Sequence, residues 1–200
     1  GLNSPLFAPA MRLGQWVRPL LPATLQAKVP PRQDAGRVPQ RSHVRKVLML
    51  AGCVQPSMAP NINSATQRVL DAAGLEVIVA KEAGCCGALK HHLADSDGAK
   101  VQVRRNIDAW WPHIEAGAEA IVMNASGCGV MVKDYGHLLA DDPVYAERAA
   151  RVSALTRDLS EMLPDLVAAL KNQLDTLRAQ EAGRLVYHPP CTLQHCQGLK

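Results

Sequence analysis

The feature of this chain that most narrows its possible folds is a repeat of short apolar runs, each followed closely by cysteine. Run 44–51 leads into Gly52-Cys53, and run 75–80 into Gly84-Cys85-Cys86-Gly87. Run 120–124 leads into Ser126-Gly127-Cys128-Gly129, and run 184–188 into Pro189-Pro190-Cys191. Short runs rich in Val, Leu and Ile, bounded by Gly or Pro, read as buried strands. The stretches between them have helical spacing. In 61–73, Ile62, Ala65, Val69 and Ala73 share one stripe between Pro60 and Gly74. A second helix opens at Asp97 or Gly98, carries Val101, Ile107, Trp110 and Trp111, and meets Pro112 near its end or at a kink. A third starts from Asp142-Pro143, a strong cap and first-turn pair. It carries Val152, Leu155, Leu159 and Met162 up to a break at Pro164, and further helix continues to about Gln180.

Strands alternating with helices predict an α/β fold, a parallel sheet with flanking helices built from Rossmann-like βαβ units. Right-handed crossovers bring every strand's carboxyl end to one edge, and sheets of this kind bind ligands there. Cys53, Cys85, Cys86 and Cys128, with Cys191 as a further member, should therefore meet at one rim although they are far apart in sequence.

Composition excludes several functional classes. The chain has 200 residues, 48% of them hydrophobic, so it buries a real core. With one Phe, three Tyr and three Trp that core is aliphatic. The net charge is +4, and the basic residues are dispersed except in 41–46, which reads as a solvated approach to the first strand. Nothing here calls for a nucleic acid. No run of 18 apolar residues exists, so the sequence contains no membrane-spanning helix. The first residues lack a signal-peptide pattern. Six cysteines without secretion signals indicate a reducing compartment, here the cytoplasm, where thiols more often bind metal or react than form bridges. Residues 1–42 are Pro-rich, with room for one short amphipathic helix limited by Pro19 and Pro22. They read either as a docking arm for a partner or as a strap on their own domain.

Adjacent cysteines are poorly placed to bridge each other, but they suit a pair of thiolates offered to one centre. Flanking glycines let the backbone approach a bulky ligand, and N–H groups in such turns offset thiolate charge. Cys53, Cys85, Cys86 and Cys128 together suit an iron–sulfur cluster or a zinc ion. The competing readings are buried structural cysteines and a redox or nucleophilic thiol site. His91 and His92 are the histidines best placed to tune the doublet, and Cys196 reads as incidental. No G-x-G-x-x-G fingerprint for flavin or nicotinamide is present.

The order of a lone cysteine, then Cys-Cys-Gly, then a cysteine pair, resembles the cysteine-rich CCG domain. The first of that final pair is replaced here by Ala125. Among CCG proteins, the runs GCVQPSMAPNINSATQRVLDAAG, AGCCGALKHHL and YHPPCTLQHCQ are most similar to the iron–sulfur subunit of glycolate oxidase. The resemblance implies three regions: a linker or docking arm at 1–42, a first CCG domain at 43–182, and the start of a second, truncated CCG repeat at 183–200. It implies that a ferredoxin-like region with two clusters and the rest of the second repeat lie outside the chain. It implies electron transfer in glycolate oxidation, as a subunit of an oxidoreductase complex. Flavin-containing subunits would be the partners, a quinone the acceptor, and the inner membrane a peripheral location. The cluster would be a [4Fe–4S] centre on Cys53, Cys85, Cys86 and Cys128, with Cys191 as an extra metal ligand. The alternatives are a zinc-bearing or metal-free docking module and a thiol–disulfide protein like heterodisulfide reductase.

Overall fold

The computed structural model describes residues 4, 6–178, 186 and 188–199. It begins with α1 (Phe7–Val17), a 3-10 turn, and α2 (Ala23–Gln26). The sheet region follows: β1 (Arg45–Met49), α3 (Gln55–Met58), α4 (Pro60–Ala72), β2 (Leu75–Ile78), α5 (Ala88–His92), α6 (Ser96–Glu115) and β3 (Ile121–Met123). Then come α7 (Ser126–Lys133), α8 (Tyr135–Leu138), α9 (Ala146–Leu155), β4 (Thr156–Asp158), α10 (Leu163–Ala169), α11 (Lys171–Arg178) and a π-helical turn at Thr192–Cys196.

The sheet is parallel throughout, in the order β2-β1-β3-β4. Successive residues of the central strands point to opposite faces. Leu48, Leu50, Ile121 and Met123 face Val103, Ile107 and Trp110 of α6, with Val132, Tyr135 and Val152 from α7, α8 and α9. Val47, Ala120 and Val122 face Leu70 of α4 and Leu166 of α10. The result is three layers, as the sequence predicts. The chain winds from β1 outward to β2, then returns across β1 to β3. The strand order therefore reverses between β1 and β3, which is where a doubly wound sheet opens a crevice at its carboxyl edge.

Two sequence expectations are corrected. The first concerns α4, whose expected apolar stripe is not its buried face. Ile62 and Val69 are exposed, while Asn63, Ser64, Thr66, Leu70 and Asp71 are buried. The polar members have partners that the sequence does not reveal. Ser64 donates to Ala35 O, and Arg41 and His43 both hold the Asp71 carboxylate. Asn63 and Thr66 serve the sheet rim. The second correction is the expected helix through Met162, which stops at Leu155. Thr156-Arg157-Asp158 instead forms the edge strand β4 beside β3. Thr156 ties its hydroxyl to Val152 O at the helix end. Asp158 then caps the next turn, accepting from Ser160 N while Glu161 accepts from Asp158 N. The spacing of Val152, Leu155, Leu159 and Met162 mimics a helix only because strand and turn together advance the apolar residues by a similar amount. The strand expected at 184–188 lies outside the described residues, apart from Val186 and His188, which are not in a strand.

The arm folds back as a strap. Gln15 donates to Ser57 O at 3.1 Å, and Arg68 donates to Arg37 O at 3.1 Å. The basic run 41–46 is paired on the surface, Arg45 with Glu119 at 2.8 Å and Lys46 with Glu76 at 3.9 Å.

Ile107 is fully buried between α6 and the sheet. Ile107→Ala should lower unfolding free energy by about 2–5 kcal/mol, read from urea denaturation. A second expectation concerns pH. Hydrogen bonds from Arg104 hold the Asp142 carboxyl below the usual range, and His43, then Arg41, does the same for Asp71. Folded values below unfolded ones contribute stability that is complete above the ordinary carboxyl range at about pH 4. That contribution is lost as pH falls through the folded values. The urea midpoint should therefore drop on acidification from about pH 6 to about pH 3, and Asp142→Asn should shrink the drop.

Candidate functional site

Three loops deliver thiols to the carboxyl edge of the sheet. Gly52, at φ 78°, turns the chain out of β1 into Cys53. The loop after β2 carries Cys85 and Cys86 to the start of α5. Cys128 lies in the first turn of α7, immediately after β3. Gly87 turns the chain from the doublet into α5. Its φ is 97°, and a Cβ there would stand 3.2 Å from the Met131 side chain and 3.4 Å from Ala99 O. Glycine alone meets both demands.

All six cysteines are thiols, and four of them touch in sequence. Cys53 neighbours Cys85, and Cys86 neighbours both Cys128 and Cys85, closely enough that each thiol alters the ionisation of the next. The neighbouring Cys85 thiol, then burial, then the sulfur charges push the Cys53 thiol far above its ordinary value. Cys86, only 3% exposed, is likewise pushed up, by the neighbouring Cys128 and Cys85 thiols and by burial. Cys128 moves the other way, because of the neighbouring Cys86 thiol, and its place at a helix N-terminus has the same sense. The group behaves as one coupled unit in which each ionisation opposes the next.

Among the described residues, no group of three or more Cys, His, Asp or Glu side chains is already spaced to hold a metal ion. The thiols form a chain of pairs. Their chemistry nevertheless fits a thiophilic cationic centre, since positive charge would relieve the mutual penalty on ionisation. Among the described residues, buried side-chain atoms without partners are His91 Nδ1, Gln102 Oε1, Trp110 Nε1, Asn124 Oδ1 and Gln197 Oε1; His91 follows the doublet and Asn124 precedes Cys128 in sequence.

Asparagines that sequence reading missed hold these loops. Asn63 on α4 donates to Ala51 O at 2.9 Å, just before Gly52-Cys53. Asn124, just after β3, donates to Asn63 Oδ1 at 2.9 Å and to Thr66 Oγ1 at 3.0 Å. Asn106 binds the loop around Cys85. The available signal was polar residues placed within otherwise apolar helical faces. Cys191 is exposed and begins the π-helical turn, which seats on α7 through Thr192 to Ser126 at 2.7 Å and Gln197 to Ser126 O at 3.1 Å. The structure thus brings four of the five expected ligands together and sets the fifth on an adjoining segment. Ala125, where the CCG pattern that the sequence resembles has cysteine, is the N-cap of α7.

Thiols at successive strand ends of a parallel sheet define a cysteine-rich α/β domain, and residues 47–133 match the family model of the CCG cysteine-rich domain. Similarity extends well beyond that segment. The chain is 46% identical over 195 residues to the glycolate oxidase iron-sulfur subunit of Escherichia coli, covering 97% of this chain and 46% of that protein. It is 36% identical over 123 residues to the probable glycolate oxidase iron-sulfur subunit of Bacillus subtilis, covering 61% of this chain and 27% of that protein. It is 27% identical over 154 residues to lactate utilization protein A of an Exiguobacterium species, covering 77% of this chain and 60% of that protein. The chain therefore spans less than two thirds of the length of each of these relatives, and about half of the first. No solved structure matches it.

Gly87→Ala forces an L residue to positive φ against Met131 and should cost about 1–3 kcal/mol of stability, measurable as a lowered denaturation midpoint. Gly127→Ala, whose Cβ would meet nothing within 4 Å, is the matched control and should change little.

Proposed function

We propose that this chain is the cysteine-rich portion of an electron-transfer iron–sulfur subunit in a glycolate-oxidising complex. The observation that carries this reading is the coupled set of four thiols at the sheet's switch point, in a chain similar to proteins named as glycolate oxidase iron-sulfur subunits. Cys53, Cys85, Cys86 and Cys128 would hold a [4Fe–4S] cluster, and Cys191 would enter as a further ligand from the adjoining turn. Such a cluster supplies one-electron transfer. The chain's own residues would exclude water at Cys86, which is buried, and would supply an amide donor from the α5 turn. They need to move no proton, so no catalytic acid or base is assigned. Glycolate would be oxidised to glyoxylate on flavin-containing partner subunits, with a quinone as acceptor and the cytoplasmic face of the inner membrane as the location. No described helix is long and apolar enough to cross a membrane.

Residues 43–182 would form the first CCG domain and 183–200 open the second repeat. Residues 1–42, though folded back as a strap, would present their outer face as a docking surface. That stretch holds Arg12, Arg18, Lys28, Arg32, Arg37 and Arg41 against Asp34 alone, so it carries the chain's whole positive excess. Leu13, Trp16 and Leu20 are exposed beside these charges. The arm thus offers an apolar face with a basic rim, complementary to an acid-rimmed apolar surface on the flavin subunits.

Anaerobic reconstitution with iron and sulfide tests the assignment. Wild type should turn brown, with broad absorbance in the visible blue and stoichiometric iron, and Cys86→Ser should lose most of both. A colourless protein with stoichiometric zinc would instead indicate a docking module. Equally low metal in wild type and mutant would overturn the ligand set.

A further inference from the structure

Asn106 on α6 and Tyr135 on α8 are fully buried beneath the turn that carries the thiol doublet. Asn106 Oδ1 accepts from Gly84 N–H at 2.8 Å, and its Nδ2 donates to Cys85 O at 2.9 Å. The same Nδ2 donates to the Tyr135 hydroxyl at 3.0 Å, and that hydroxyl donates to Cys86 O at 2.7 Å. Three successive residues, Gly84, Cys85 and Cys86, are thus each tied by a backbone group to one two-residue clamp. The Asn106 orientation follows from chemistry, because a flipped amide would set its NH2 against the Gly84 N–H.

The clamp does more than satisfy buried carbonyls. In a trans peptide the C=O and the following N–H point in opposite directions, and the described residues contain no cis peptide. Holding Cys85 O and Cys86 O toward Asn106 and Tyr135 therefore turns the N–H groups of Cys86 and Gly87 the other way. The next amide, Ala88 N–H, opposes the rise of the Cys86 thiol. Amide donors near sulfur favour the more negatively charged state of a thiolate-bound redox centre and raise its potential.

We propose that Asn106 and Tyr135 are positioning residues, which hold the Cys85-Cys86-Gly87 turn so that its sulfurs stay on the rim and its amides face them. The consequence for potential rests on the proposed cluster, whereas the clamp itself stands without it. Tyr135→Phe deletes the hydroxyl and keeps the ring stacked on Trp110, with centroids 6.4 Å apart. Ile107→Val, one residue from Asn106 in the same core, is the control that loosens packing without touching a hydrogen bond.

Two measurements decide the matter. In the metal-free, reduced protein, alkylation of Cys86 mapped by peptide mass should be about fivefold faster in Tyr135→Phe than in wild type, the change in opening expected from losing one hydrogen bond. Ile107→Val should stay close to wild type. In the reconstituted protein, the reduction potential of Tyr135→Phe should shift downward while that of Ile107→Val does not. Tyr135→Phe values indistinguishable from those of Ile107→Val in the alkylation assay overturn the clamp. If wild type takes up no cluster, the proposed function fails, and the alkylation arm still decides the clamp.

Discussion

The cost of ionising thiols gathered at one sheet edge is the constraint on which the rest of this structure depends. Two unit charges about 4 Å apart repel by about 4 kcal/mol at an effective dielectric near 20. Cys53, Cys85, Cys86 and Cys128 neighbour one another at the sheet edge, so that ionisation of one thiol raises the cost of the next. A protein gains nothing for its stability from gathering such groups. Their arrangement makes sense as a site that a thiophilic cationic centre completes, with the coupled thiols releasing protons as it binds.

The sheet topology creates that proximity. Cys53 follows β1 and Cys128 follows β3, the two strands between which the winding reverses. The doublet arrives from β2 on the far side of β1. Helices on both faces then anchor the loops: α4 holds the Cys53 loop through Asn63, and α6 with α8 holds the Cys85–Cys86 loop through Asn106 and Tyr135. Residues distant in sequence thus act on one small region because parallel crossovers place every loop at the same edge. The positive φ of Gly87 belongs to the same device, since it turns the doublet into α5 where a side chain would strike Met131.

The fold class and the rim thiols were legible because apolar run, glycine and cysteine recur in phase with the strands. What stayed hidden was polar. On α4, Asn63, Ser64, Thr66 and Asp71 look like a solvent face, yet the strap and the sheet rim cover them. β4 is three residues long and reads Thr-Arg-Asp, with no apolar signal at all. Its burial comes from the neighbouring β3 and from side-chain bonds. Asn106 and Tyr135 were overlooked for a similar reason: hydrogen bonds to a backbone leave no periodicity in the chain that makes them.

The arm, the sheet and the rim are compatible with the proposed role of holding a redox centre and presenting it to partners. Everything turns on what the four sulfurs bind in the working protein. X-ray absorption at the iron edge, on protein isolated without oxygen, addresses that directly. Iron surrounded by sulfur, with further iron atoms close by, is the expected result, and the signal should vanish when Cys53, Cys85, Cys86 and Cys128 are all changed to serine. Iron bound by nitrogen or oxygen, or an unchanged signal in that variant, would contradict it.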